Sequence, residues 1–166
     1  MERPINKILA CVDFSQYSQI SMEYALEFTR GREEQTQIVV LNVINQHDIR
    51  GIEMAMGFFP GCIEGGMNAQ EYIKQVKKDR TQKLRQMIKE QFFEEKSRMS
   101  IKIDTGIPYD CILKTIESEG IDLVVMANKG RSNIGNFLMG SCAEKVFRHS
   151  PVPVVSVRDQ EKFRRE

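Results

Sequence analysis

The stretch "DLVVMANKGRSNIGNFLMGSCAEK", Asp122 to Lys145, decides how the chain is read. It begins with a short, continuous apolar run. It then passes through a polar loop carrying Gly130, Gly135 and Gly140, and ends in a helix-like pattern that starts at Gly-Ser. A strand buried on both faces reads as such a run, and it must be followed by a connection back over the sheet. The stretch is therefore a strand, a loop and a helix. The loop has two readings: a phosphate cradle, or an ordinary strand-to-helix connection closed by a capping box between Ser141 and Glu144.

Working outward, the same apolar pattern recurs in "KILACV" (Lys7 to Val12), "QIVVLNVI" (Gln37 to Ile44) and "VPVVSV" (Val152 to Val157). "MSIKIDTG" (Met99 to Gly106) alternates more and suits a strand near an edge. Helical spacing lies between these runs. Ile20, Tyr24, Ala25 and Phe28 share one helical face, and Gly31 stops that helix. From Ala69 to Lys96, Tyr72, Ile73, Val76, Leu84, Met87, Ile88 and Phe92 form an apolar stripe, with the "KKDR" run on the solvated face. "PYDCILKTIESEG" has Pro108 in its first turn and Gly120 as its stop. Strand and helix alternate throughout. This predicts an α/β fold, an open doubly wound five-stranded parallel sheet, Rossmann-like with strand order 3-2-1-4-5, and helices on both faces. Residues 1–158 form one domain in this reading, and 159–166 a charged tail.

One segment does not fit the alternation. Residues 45–68 form a long connection carrying Met54, Met56, Phe58, Phe59 and Met67. These residues are too apolar to be simply solvated, so the segment either tucks onto the core or a partner, or covers a ligand.

Composition narrows the classes. The 166 residues suit a single domain, with 41% hydrophobic and 28% charged residues and a net charge of +1. Nucleic-acid binding leaves a far more basic footprint. No apolar run is long enough to span a bilayer, and "MERPINKILACVDFS" lacks a signal-peptide core, which points to the cytoplasm. Cys11, Cys62, Cys111 and Cys142 are widely spaced, and His47 and His149 add no metal-ligand spacing. The cysteines read as reduced and unligated, with Cys142 the one to watch for reactivity.

In an open parallel sheet, ligands bind beyond the carboxyl ends of the strands where the winding reverses. That places Asp13, after the first strand, beside the loop after the fourth. Gly130, Gly140 and the helix start at Ser141 would offer amide donors to an anion, reinforced by Lys129 and Arg131. Asp13 would repel phosphate and suits ribose hydroxyls instead. The standard phosphate motifs are absent. "GNFLMGS" has P-loop spacing but Ser141 where lysine is needed, and there is no G-x-G-x-x-G.

At these residues the chain resembles the universal stress protein family, from about Ile5 to Val157. "ILACVDFSQYSQISMEYA", "VVLNVI" and the long run from Ile103 to Val157 carry the resemblance. The nucleotide-binding branch has the motif Gly, two residues, Gly, nine residues, Gly, then Ser or Thr. The matching positions here are Ala127, Gly130, Gly140 and Ser141, so the spacing is kept and the first glycine is alanine. The resemblance implies ATP (or AMP or ADP) as ligand, with Mg²⁺ on its phosphates. Asp13, after Val12, would lie near the ribose, and the backbone of Val43 near adenine. Met126 and Ala127 would lie beside the phosphate-binding backbone of Gly130, Gly140 and Ser141, with Cys142 and Ala143 following. It also implies a homodimer joined through the last strand, Val152 to Val157. Pro151 and Pro153 at the start of that strand are consistent with an edge.

Three functions follow. The first is a stress-response regulatory protein that binds an adenine nucleotide and acts through a dimer. The second is a nucleotide-free module that binds a signalling partner. The third is an adenine-nucleotide α-hydrolase-like enzyme, disfavoured because "VDFSQYS" lacks the glycine of a pyrophosphate loop. No general base or nucleophile stands out, so any ATP hydrolysis would be slow and incidental.

Overall fold

The computed structural model describes residues 4–32, 34, 36–58, 68–128 and 139–158. Five parallel strands form one sheet in the order β3-β2-β1-β4-β5, the order expected from the alternation. They are β1 (Lys7–Cys11), β2 (Gln37–Asn45), β3 (Met99–Gly106), β4 (Leu123–Ala127) and β5 (Val154–Val157). β1, β2 and β4 read as unbroken apolar runs because both of their faces are covered. β3 is an edge strand and only half-buried along its length, which explains its alternation.

The helices are α1 (Tyr17–Glu27), α2 (Gln46–Phe58), α3 (Ala69–Gln91), α4 (Pro108–Glu119) and α5 (Ser141–His149). α1 and α3 cover one face, where Met22, Ala25, Leu84 and Ile88 pack on Ile8, Ala10, Ile38 and Val40. α4 and α5 cover the other, where Ile112, Ile116 and Val146 pack on Leu9, Val39, Leu41 and Val124. α3 begins with a capping box between Asn68 and Glu71. α4 opens with proline in its first turn and ends at Gly120, whose φ of 63° is left-handed. At the amino end of the sheet, Asp122 accepts from the amides of Asn6 (2.8 Å) and Lys7 (2.9 Å), fixing β4 against β1.

Three expectations are corrected. First, much of the long connection is helix: α2 occupies Gln46–Phe58. The side chain of Asn45 accepts from the His47 amide at 3.0 Å, Asp48 complements the helix dipole, and Ile49 is buried against the body of the protein. Met54 is exposed, while Phe59 and Met67 lie outside the described residues, as does the tail 159–166.

Second, α1 fully buries Tyr17, Ser18, Ser21, Met22 and Ala25, so Ala25 is the one member of the expected Ile20, Tyr24, Ala25 and Phe28 stripe that is fully buried. Small side chains let the helix approach the sheet closely, and Ser21 satisfies its hydroxyl on the Tyr17 carbonyl at 3.1 Å. Ile20 and Tyr24 flank that contact, and Phe28 is exposed.

Third, α3 stops at Gln91 instead of reaching Lys96. A 3₁₀ segment, Phe93–Arg98, turns the chain into β3.

Candidate functional site

The chain winds outward from β1 through β2 to β3, then returns to β4 beside β1. Crossovers therefore leave in opposite directions at the β1/β4 boundary, and the carboxyl ends of these strands open into a cleft of about 700 Å³. Its size is that of a small-molecule site.

The floor and one wall come from the ends of β1, β2 and β4. Val12 (after β1), Val43 and Met126 line it. So does Asp13, which sits in a turn the chain holds firmly. Its Oδ1 accepts from the Ser15 amide at 3.0 Å and the Ser18 hydroxyl at 3.2 Å, and its own amide donates to Ser18 Oγ at 3.1 Å. The next residue, Phe14, has φ of 62°, an uncommon conformation for a bulky non-glycine residue. The turn accepts that strain while holding Asp13 at the mouth of the cleft.

A buried network behind the floor was not anticipated. The Asn42 side chain is 1% exposed. Its Nδ2 donates to the Val12 carbonyl at 2.8 Å, and its Oδ1 accepts from Arg80 at 2.8 Å. Arg80 also donates to the Val43 carbonyl at 3.2 Å. Arg80 is thus not part of a solvated face, although "KKDR" reads as one. It turns inward from α3 to tie the ends of β1 and β2 together. A base recognised by the backbone of Val43 would share that carbonyl with a guanidinium.

The opposite wall is the start of α5. Ser141, Cys142 and Ala143 all line the cleft. The capping box between Ser141 and Glu144 does not form. Gly140 is the N-cap, Ser141 is already helical, and the Glu144 carboxylate pairs with Arg148 one turn on at 2.8 Å. Among the described residues, no side chain caps this helix. Its first turn therefore presents amide donors and the positive end of the helix dipole toward the cleft. The Gly140 amide is not one of these donors, because it donates to the Asn128 carbonyl at 2.7 Å and so closes the base of the loop. Lys129, Gly130 and Arg131 fall outside the described residues.

Ala127, where the motif has glycine, lines the cleft and lies in regular strand. Phe14 is the one non-glycine residue with positive φ among the described residues, so Ala127 carries no such strain. It also packs against the core on the α1 side of the sheet.

The cleft includes groups that sequence reading missed. Asn45, His47 and Asp48 enter from β2 and the first turn of α2, and Tyr109 and Lys145 from α4 and α5. The acid at the start of an apolar-periodic segment was the available signal for α2. Nothing in the linear sequence places Tyr109 beside Lys145.

Burial dominates the thiol chemistry here. It pushes Cys142 up to about 11, with the Asp13 carboxylate adding to the rise and Lys145 opposing it. Cys11 is raised further by burial, then by Cys142 and Asp13. Cys142 is therefore a protonated thiol at neutral pH rather than a reactive nucleophile. No group of three or more His, Cys, Asp or Glu side chains suited to a metal occurs among the described residues. Nor is any described helix long and apolar enough to cross a membrane.

The universal stress protein family model matches residues 63–158. Universal stress protein MJ0577 of Methanocaldococcus jannaschii is 26% identical over 155 residues, covering 92% of this chain and 94% of that protein. The solved structure of MJ0577 superposes with a TM-score of 0.74 at 25% identity, covering 93% of this chain and 96% of that one. Two more distant structures share the fold. A universal stress protein in complex with cAMP has a TM-score of 0.54 at 19% identity, covering 93% and 97% of the two chains. A universal stress protein family member from Arabidopsis thaliana with AMP bound has a TM-score of 0.52 at 16% identity, covering 95% and 94%. With the family model spanning more than half of its length, and a relative aligned almost end to end, this chain belongs to the universal stress protein family.

Proposed function

We propose that the chain is a stress-response regulatory protein that binds ATP or a related adenine nucleotide in the cleft between β1 and β4. One observation carries the reading: the start of α5, which no described side chain caps, faces a cleft that also holds Asp13. Amide donors at a helix start suit a polyanion, and a carboxylate suits sugar hydroxyls. In this reading the phosphates meet the amides of Ser141, Cys142 and Ala143 and the backbone of Gly130, with Lys129 and Arg131 nearby. Ribose meets Asp13, and the base lies toward Val12, Val43 and Met126.

Gly140 supports this assignment. Its φ of −73° and ψ of 150° are open to any residue, so local conformation does not require glycine there. Close approach of a ligand would. The packing of Ala127 against the α1-side core supports room for a ligand despite the missing first glycine. The AMP and cAMP found with two structures of this fold favour an adenine nucleotide.

Mg²⁺ would ride on the phosphates. The protein would act in the cytoplasm as a homodimer. β5 is the outer strand on its side of the sheet, and its Val154 and Val155 remain half-buried, an edge that invites pairing.

Titration with a fluorescent ATP analogue and Mg²⁺ tests the proposal. Wild type should saturate and Asp13→Asn should weaken. The asparagine keeps an acceptor for the Ser15 amide while removing the charge. Inorganic tripolyphosphate should bind both proteins alike. Absence of saturation at millimolar nucleotide would reject the reading in favour of a nucleotide-free partner module.

A further inference from the structure

Among the described residues lining the cleft, one is a lysine or arginine. That residue is Lys145, set against the carboxylates of Asp13 and Asp48. It lies four residues beyond Ser141 on α5, one turn above the amides that open into the cleft. Helical side chains lean toward the helix N-terminus, so this lysine leans toward those amides. Its ammonium rests on the ring of Tyr109, 4.4 Å from the centroid. Tyr109 is the second residue of α4 and is packed on the core. The ammonium is therefore parked at the rim, held by a ring fixed to the neighbouring helix α4. The charge is felt inside the cleft, since it opposes the rise of the Cys142 thiol that Asp13 promotes. An exposed ammonium over a ring face is a weak contact, and an anionic phosphate is a stronger partner.

We propose that Lys145 is a specificity-determining residue for phosphate number, leaving Tyr109 to engage the outer phosphates of a nucleoside polyphosphate that a monophosphate does not present to it. The inference rests on the nucleotide reading above and deepens it. The α5 amides take whatever phosphate the ligand has, whereas Lys145 rewards only the longer chain. Tyr109 keeps the ammonium extended and close to the rim, which lowers the ordering cost when phosphate arrives.

The test compares ATP, AMP and adenosine on wild type, Lys145→Gln, Lys145→Arg and Tyr109→Leu by calorimetric titration at two salt concentrations. Lys145→Gln should lose ATP affinity by on the order of tenfold and change AMP and adenosine by less than about threefold. Its ATP binding should also be less salt-sensitive than that of wild type. Lys145→Arg should recover most of the loss, and Tyr109→Leu should show a smaller, ATP-selective loss. Lys145 is exposed, so thermal unfolding should be unchanged by Lys145→Gln. Equal losses for ATP and AMP, or no loss at all, would overturn the role of Lys145 while leaving the nucleotide site intact. Failure of wild type to bind any of the three ligands would overturn the nucleotide reading, and this inference with it.

Discussion

Arg80→Met tests whether the floor of the cleft is held together from behind. Methionine keeps much of the aliphatic stem and removes every N–H donor. The lost bonds include those to Asn42 Oδ1 at 2.8 Å and the Val43 carbonyl at 3.2 Å. Asn42 is 1% exposed and its amide is anchored on the Val12 carbonyl, so it cannot turn to water without breaking a second bond. An acceptor stranded in this way costs about 1–3 kcal/mol, and a bond to a charged donor contributes about 1.5–3 kcal/mol. We expect a loss of about 2–3 kcal/mol, or roughly 4–12 °C in Tm for a chain of this size. Urea unfolding followed by far-UV circular dichroism measures it. A double-mutant cycle with Asn42→Leu isolates the pair, with an expected coupling of about 1.5–3 kcal/mol. The Val12 carbonyl precedes Asp13, so the same variant should weaken nucleotide binding. A coupling below about 0.5 kcal/mol would refute the reasoning, because it would mean that the two side chains do not depend on each other.

Two further outcomes follow. Cys142 and Cys11 are raised in the folded protein, so they hold protons that the unfolded chain releases. Their contribution to stability is complete below about pH 8.5, the ordinary thiol range, and declines as pH rises toward the folded value of about 11 for Cys142. Unfolding at pH 7.5 to 10.5 should show a shallower decline in Cys142→Ala than in wild type, and identical slopes would contradict the burial argument. Gly140→Val should reduce nucleotide affinity at least tenfold with little loss of stability, since its φ and ψ suit any residue. A folded variant with unchanged affinity would move the phosphates elsewhere.

The sheet was legible because its strands are short Val/Ile-rich runs, and such runs suit strands covered on both faces. Pro108 and Gly120 marked α4 for local reasons that the structure repeats, a proline in the first turn and a left-handed stop. α2 was hidden because Gly51 and Gly57 weaken its helical pattern, and its stability comes from burial of Ile49 and the turn at Asn45. Arg80 was misread because a charged side chain on a helix is solvated unless a buried acceptor waits for it, and Asn42 is 38 residues away in sequence. The proposed capping box failed for a related reason: Glu144 had Arg148 within reach one turn on. The convergence of Asp13 with the start of α5 could be argued from topology alone. The arrival of His47, Asp48, Tyr109 and Lys145 in the same cleft could not, because each depends on how a helix is set on the sheet.

A crystal structure grown with ATP and Mg²⁺ tests the central claim most directly. The account predicts density for the nucleotide between β1 and β4, with phosphate oxygens within hydrogen-bonding distance of the Ser141–Ala143 amides and ribose hydroxyls on Asp13. A nucleotide bound elsewhere, or this cleft empty at saturating ligand, would contradict it.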